Sequence, residues 1–438
     1  MSWTKWQPSA DQPWDIQRVS HLWRRTGFMP DWATIQWSLR EGVEATIQRI
    51  LSFDSQEYPA FEELATTIGD AAVGADSADR LRAWWIYRMV FTPHPLQERL
   101  TLLWHNHFAT SNDKVRDVGL MYEQNNLLRQ HCQGNFAELL TAVTKHPAML
   151  VWLDADSNRK EHPNENLARE LLELFTLGEG NYSERDIPEA ARCLTGWTVV
   201  NKQFAQVERF HDGGRKELLG TSAVRDGDAL LKHLSGMPAT ARRVVWRLCE
   251  QLFASEQLAD DAIDQLAAEA LSANLNIAWI LNKILHSEEF FAPSNIRSRI
   301  ASPAEYIVGP IRALEMQRKP PSTLILSEHF RIQGQDLFHP PNVFGWSGGR
   351  DWINTRSILA RQSFAAKLLE GKMHQLTNQY DVTYLPDAYS VPTGERGAFF
   401  ERLLLGSEDG LKTEASASEQ ELLKLIAGFV SGPISQLV

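Results

Sequence analysis

Cysteine is scarce in this chain. Only Cys132, Cys193 and Cys249 occur, with no C-x-x-C pair among them. An odd thiol remains under any disulfide scheme, so a disulfide scaffold and a zinc ribbon are both excluded and a reducing compartment is implied. Long hydrophobic runs are missing as well. The N-terminal stretch MSWTKWQPSADQPWDIQRVSHLWRRTGF is broken throughout by charges and prolines, so it holds neither a secretory apolar segment nor a membrane span. A cytoplasmic location is expected on that ground, and a leader removed beforehand would change the expectation to export. Positive charge is also in deficit. The 55 acidic against 44 basic residues give −11, which removes any global attraction for nucleic acid or anionic lipid. No glycine-rich phosphate loop or dinucleotide fingerprint is present, so no nucleotide cofactor is expected.

What remains is ordinary globular composition, with 43% hydrophobic and 23% charged residues, on a chain long enough to bury a large core without staples. Helical periodicity dominates, as in Leu81 to Val90, Leu96 to Phe108, Leu167 to Leu177 and Asn276 to Phe290. The fold is expected to be mainly α. One large multi-helix core domain is expected over 1–375, with a small β-hairpin insertion near 198–215 that turns at HDGGRK. Residues 376–438 read as a C-terminal appendage ending in a helix at Glu419 to Val430. Fifteen tryptophans fit thick helix-to-helix packing, because an indole buries a large area while its N–H needs one partner.

Four long strings carry a resemblance: LLWHNHFATSNDKV, PNENLARELLELFTLGEGNYSERDIPEAARCLTGW, HDGGRKELLG and PPNVFGWSGGRDWINT. Together, and in this order, they resemble the bacterial domain of unknown function 1800 family over roughly Asp15 to Leu369. The resemblance implies a helical domain and no established reaction. It also implies a sulfatase-like partner protein, because many relatives look exported and are encoded beside one.

Asp154, Asp156, Asn158, Lys160, His162 and Glu165 occupy places 1, 3, 5, 7, 9 and 12 of a segment between two helix-like runs. That is the oxygen-ligand spacing of a helix-loop-helix calcium site, with Lys160 offering its backbone carbonyl and Glu165 binding bidentately. Arg159 stands where glycine usually makes the sharp turn. Calcium is therefore one expectation for the segment, and a solvated connecting loop that caps the next helix is the other.

On that next helix Leu167, Leu171, Leu174 and Phe175 share one side, while Glu165, Arg169, Glu170 and Glu173 share the opposite one. A solvated face laced by Glu165–Arg169 and Arg169–Glu173 pairs is the simple reading. If the face is buried, Arg169 balances its carboxylates and Glu170 or Glu173 keeps a raised pKa for proton transfer. In the string HNH, His107 falls near the centre of the stripe formed by Leu96, Leu100, Leu103, Trp104 and Phe108, and His105 projects away from it. His107 is therefore the candidate site residue, set against a hydrogen-bonded core histidine. The pair would hold a transition metal only if the backbone were extended there. His211 and Asp212 form a further candidate pair at the expected hairpin turn. Gly345-Trp346-Ser347-Gly348-Gly349 fits the nucleophile-elbow pattern but follows two prolines rather than a strand, so a loop bearing Trp346 and Trp352 over a pocket is expected instead. Stacking on a sugar or aromatic ring is a conceivable use for it.

These residues lead to one expectation and one alternative. The first is a helical enzyme, leaning to a hydrolase, whose pocket of His107, Arg169, Glu170, Glu173, His211 and Asp212 performs acid/base or metal-assisted chemistry on a substrate the sequence does not reveal. The alternative is a non-catalytic, calcium-stabilised binding or accessory scaffold for a partner protein.

Overall fold

The structure is a computed structural model that describes residues 3–53, 57–254, 258–373, 381–407 and 418–438. Within them the fold is mainly α, with one two-stranded antiparallel hairpin, as the periodicity implied. No helix among the described residues is long and apolar enough to cross a membrane. A single hydrophobic cluster runs from Trp3 to Val438. The C-terminal helix Glu419–Ser431 packs on Thr355–Leu369 and Arg396–Leu405, and the Val438 amide donates to the Arg299 carbonyl. The expected boundary between residues 375 and 376 lies outside the described residues.

Two elements differ from the sequence expectation. The hairpin pairs Trp197–Val200 with Gln203–Gln206 and turns at Asn201 and Lys202, both left-handed (φ 51° and 60°). Such a two-residue turn matches the right-handed twist of its strands, so the reversal comes there rather than at HDGGRK. The apolar run from Asn276 to Phe290 is two helices, Ile277–Leu285 and Glu288–Phe291. Ser287 breaks it by leaving helical geometry and capping the Phe290 amide.

The helix Pro95–His107 is the element that organises the site. Proline at its first position suits a start that needs no amide donor. Buried side chains surround it on every side, including Glu98, which is fully enclosed. The Glu98 carboxylate accepts from Arg88 (2.8 Å), Arg129 (2.7 Å) and the Trp85 indole (3.0 Å). Burial opposes its charge, yet the two guanidinium groups hold its pKa down to about 2. This centre locks Ala78–Phe91, Pro95–His107 and Val118–His131 together and fixes the rotation of the helix that ends in HNH.

Candidate functional site

The three residues of HNH make different contacts, His107 with Phe175 and both Asn106 and His105 with Trp346. His107 Nε2 lies 3.1 Å from the Phe175 carbonyl, so it donates, and burial followed by the nearby Arg247 and Arg243 holds its pKa well below the ordinary value. It is a neutral ring that caps the end of the helix carrying Glu170 and Glu173. Asn106 clamps the backbone of Trp346, accepting from its amide at 2.6 Å and donating to its carbonyl at 3.3 Å. His105 is buried too, against Trp85, Phe338 and Trp346 with ring centroids 5.2–5.7 Å away. Burial and the neighbouring His339 push its pKa down to about 3. The expectation that His105 faces away from the core is thus corrected: a helix buried around its whole circumference has no outward side, so the stripe could not separate the two histidines.

The carboxylate helix is irregular at the residues of interest. Asn166–Glu170 is α-helical, and Leu171–Thr176 continues as a π-helix. The Thr176 hydroxyl donates to the Leu171 carbonyl five residues back (2.6 Å), and the Leu177 amide donates to Leu172 (3.0 Å), which sustains the wider turn. Its terminal carbonyls are met from outside, Leu174 by Arg243 (3.2 Å) and Phe175 by His107. Glu173 accepts from the Tyr182 hydroxyl at 3.1 Å. Burial, and secondarily the charge of Glu173, pushes the half-buried Glu170 up to about 7. Arg169 is not the buried counter-ion of the expected enzyme pocket. Its side chain is 38% exposed and makes only long pairs, with Glu165 at 3.4 Å and Glu184 at 3.5 Å.

In the Asp154–Glu165 segment, protein groups meet the side chains of Asp154, Asn158 and Glu165, three of the candidate cation ligands. Asp154 pairs with Lys114 (2.7 Å) and accepts from Asn166 (3.1 Å). Asp156 is exposed, and its carbonyl accepts from Thr198. Lys160 donates its amide to the Phe210 carbonyl, and Glu165 meets Arg169. Asn158 is 1% exposed, and its amide bridges the Ala191 carbonyl (3.0 Å) and the Asn164 amide (2.9 Å). Among the described residues, no group of three or more His, Cys, Asp or Glu side chains is placed to hold a metal ion. The segment works as a clasp, and Asn158→Ala is expected to cost about 1–3 kcal/mol by leaving two backbone groups unpaired. The loss should be equal with and without millimolar calcium in thermal melts; a loss seen only with calcium would restore the cation reading.

His211 and Asp212 belong to a different cluster. His211 Nδ1 meets the Thr195 carbonyl at 2.9 Å. The Arg192 guanidinium beside Asp212 holds that carboxyl at about 2, and Arg192 also pairs with Glu189. Lys216, 1% exposed, donates to the carbonyls of Asp212, Gly214 (3.3 Å) and Arg225 (2.8 Å). The HDGGRK string is therefore a loop folded around its own lysine. The six expected catalytic residues do not share one pocket.

The cavity lies elsewhere, beneath the loop that carries Trp346 and Trp352. It measures about 370 Å³, and the segment Trp346–Trp352 lines it together with Asn106 and four arginines, Arg99, Arg247, Arg299 and Arg350. The arginines come from the helices Pro95–His107 and Pro238–Leu252, the segment before Pro303 and the short turn Gly349–Trp352. Glu305, 2% exposed, sits behind two of them, pairing with Arg99 at 2.8 Å and with Arg299. Arg247 pairs with Glu250 (2.6 Å), and Asp351 also lines the wall. Four guanidinium groups against three carboxylates leave positive charge in excess. Gly345 permits the loop to approach: its φ is +82°, and a Cβ there would lie 2.2 Å from the Asn106 side-chain oxygen. A larger cavity of about 560 Å³ near Trp37 and Arg312 lies away from all four strings, and Arg312 is already bound to the carbonyls of Met89, Val90 and Thr92. Neither cavity is lined by Glu170 or Glu173. The Trp346–Trp352 loop over a pocket was readable in advance; the arginine set was not, because only Arg350 lies in that loop's string and Arg99, Arg247 and Arg299 arrive from three other segments with no motif around them.

A family model described as "Protein of unknown function (DUF1800)" matches residues 21–428, extending past the Leu369 limit of the resemblance. No curated protein and no solved structure matches the chain.

Proposed function

The chain belongs to the DUF1800 family, whose description names no reaction, and we propose from the site itself that it binds an anionic ligand with an apolar ring face in the arginine–tryptophan cavity. One observation carries this reading: four arginines from four separate segments converge with two tryptophans on one cavity of about 370 Å³. Guanidinium groups recognise carboxylate and phosphate oxygens through paired N–H donors. Indole faces pack against saturated or aromatic rings. Ligand-observed NMR with sodium galacturonate and with galactose, which differ in one carboxylate, tests it. Galacturonate should bind and galactose should not, and Arg247→Met with Arg350→Met should weaken binding at least tenfold, about 1.4 kcal/mol. Equal response to both sugars, or unchanged binding by the double variant, contradicts the reading.

A second reading, proton transfer by the carboxylate helix, is favoured by Glu170, whose pKa near 7 suits a general acid or base at neutral pH. It makes its own prediction. A carboxyl whose pKa is raised on folding binds a proton that the unfolded chain has released, so it costs stability as pH rises from its ordinary 4.5 to about 7. Glu170→Gln removes that cost and should gain stability over wild type by on the order of 1 kcal/mol at pH 8, the half-exposed site being screened by solvent. Urea unfolding should show the gain at pH 8 and none at pH 4; equal differences at both would remove the raised pKa from consideration.

A further inference from the structure

The Trp346–Trp352 loop has a second face. A cavity of about 280 Å³ lies against it and shares Trp346, Ser347, Asp351 and Trp352 with the arginine–tryptophan cavity. The loop is thus a wall between two hollows. Gln333 lines the second hollow and is 3% exposed. Among the described residues, neither its amide oxygen nor its amide nitrogen has a hydrogen-bond partner, and the same is true of the Trp346 indole N–H. Buried amides in folded proteins are almost always paired, so a side chain left wholly unpaired beside a cavity marks a place where a missing group belongs.

The chemistry of these groups limits what that group is. A carboxamide offers donors and an acceptor, and the indole offers a donor alone. Hydroxyl groups, which both donate and accept, satisfy all of them at once. Gly334, with φ +97°, turns the chain beside the Trp352 ring, and a Cβ there would meet that ring at an ordinary 3.7 Å. Trp352 lines the same hollow, and an indole there suits the C–H groups of a pyranose. Arg331 and Arg356 also line this hollow, so a second carboxylate is accommodated there.

We propose that the two cavities are adjacent subsites for an acidic oligosaccharide. One uronate residue sits among Arg99, Arg247, Arg299 and Arg350, and its neighbour sits on the Gln333 side, with the Trp346–Trp352 loop as the saddle beneath the linkage. The proposal rests on the anion-binding reading above and adds the ligand class and its length.

Calorimetric titration of the full chain with galacturonate, digalacturonate and AMP tests it. Digalacturonate should bind at least tenfold more tightly than the monomer. Gln333→Leu should abolish that gain and leave monomer affinity unchanged. Arg356→Glu, an exposed change that leaves the core untouched, should lower the affinity for digalacturonate alone and covers the case in which the glutamine variant does not fold. No gain with length, or a gain that survives both variants, overturns the second subsite and leaves the anion-binding reading standing. AMP binding where neither uronate binds overturns the saccharide class. Binding of none of the three overturns the anion-binding reading together with the proposal.

Discussion

Glu305→Leu is expected to lower the unfolding free energy by about 3–5 kcal/mol, the cost of removing one partner from a buried ionic centre. Glu305 accepts from Arg299, from Arg99 and from the Ser302 amide at 2.8 Å, the last as half of a capping box that starts the helix Pro303–Ala313. Burial opposes its charge, and the two arginines nevertheless hold its pKa at about 2. Replacement by leucine strands two guanidinium groups, 5% and 12% exposed, in the wall of the cavity and removes a helix cap as well. The denaturant midpoint should fall by a large fraction of the total. A midpoint near wild type would mean that Arg99 and Arg299 are hydrated, and the cavity would then lack the enclosed positive charge assigned to it.

Asn106→Leu should be nearly as costly, about 2–4 kcal/mol, because it leaves both the amide and the carbonyl of the buried Trp346 without their partner. Gly345→Ala attacks the same clamp from the other side. It forces a residue with a Cβ into φ +82°, about 1–2 kcal/mol of backbone strain, and drives that Cβ to within 2.6 Å of the Asn106 carbonyl oxygen. Gly348→Ala is the control, since its φ of −114° is ordinary and a Cβ there meets nothing within 4 Å. The first two variants should lose both stability and galacturonate binding. The third should stay within about 0.5 kcal/mol of wild type. Loss of stability with binding intact would separate the clamp from the cavity.

Much of the fold was legible because helical periodicity is local: Pro95–His107 and Glu419–Ser431 begin and end within one residue of the expected Leu96 to Phe108 and Glu419 to Val430. The site was legible only in parts. GWSGGRDW announced a tryptophan loop over a pocket, and the stripe around His107 announced its buried ring. The distinction between His105 and His107 failed because the helix is enclosed all round, and the π-helix at Leu171–Thr176 departs from the fixed 100° step beyond Glu170. Asn158 read as a cation ligand because Asn supplies an oxygen to either a metal or a backbone amide, and spacing alone does not choose. Arg99, Arg247, Arg299 and Arg350 were invisible as a group, since tertiary packing alone brings them together.

Hydrogen–deuterium exchange of the full chain with and without saturating digalacturonate tests the central claim most directly. Protection is expected over 345–354, with weaker protection over 99–107 and 247–253, the segments that wall the arginine–tryptophan cavity. Protection confined to 166–182, the carboxylate helix and its Tyr182 partner, would contradict the claim and move the ligand to Glu170 and Glu173.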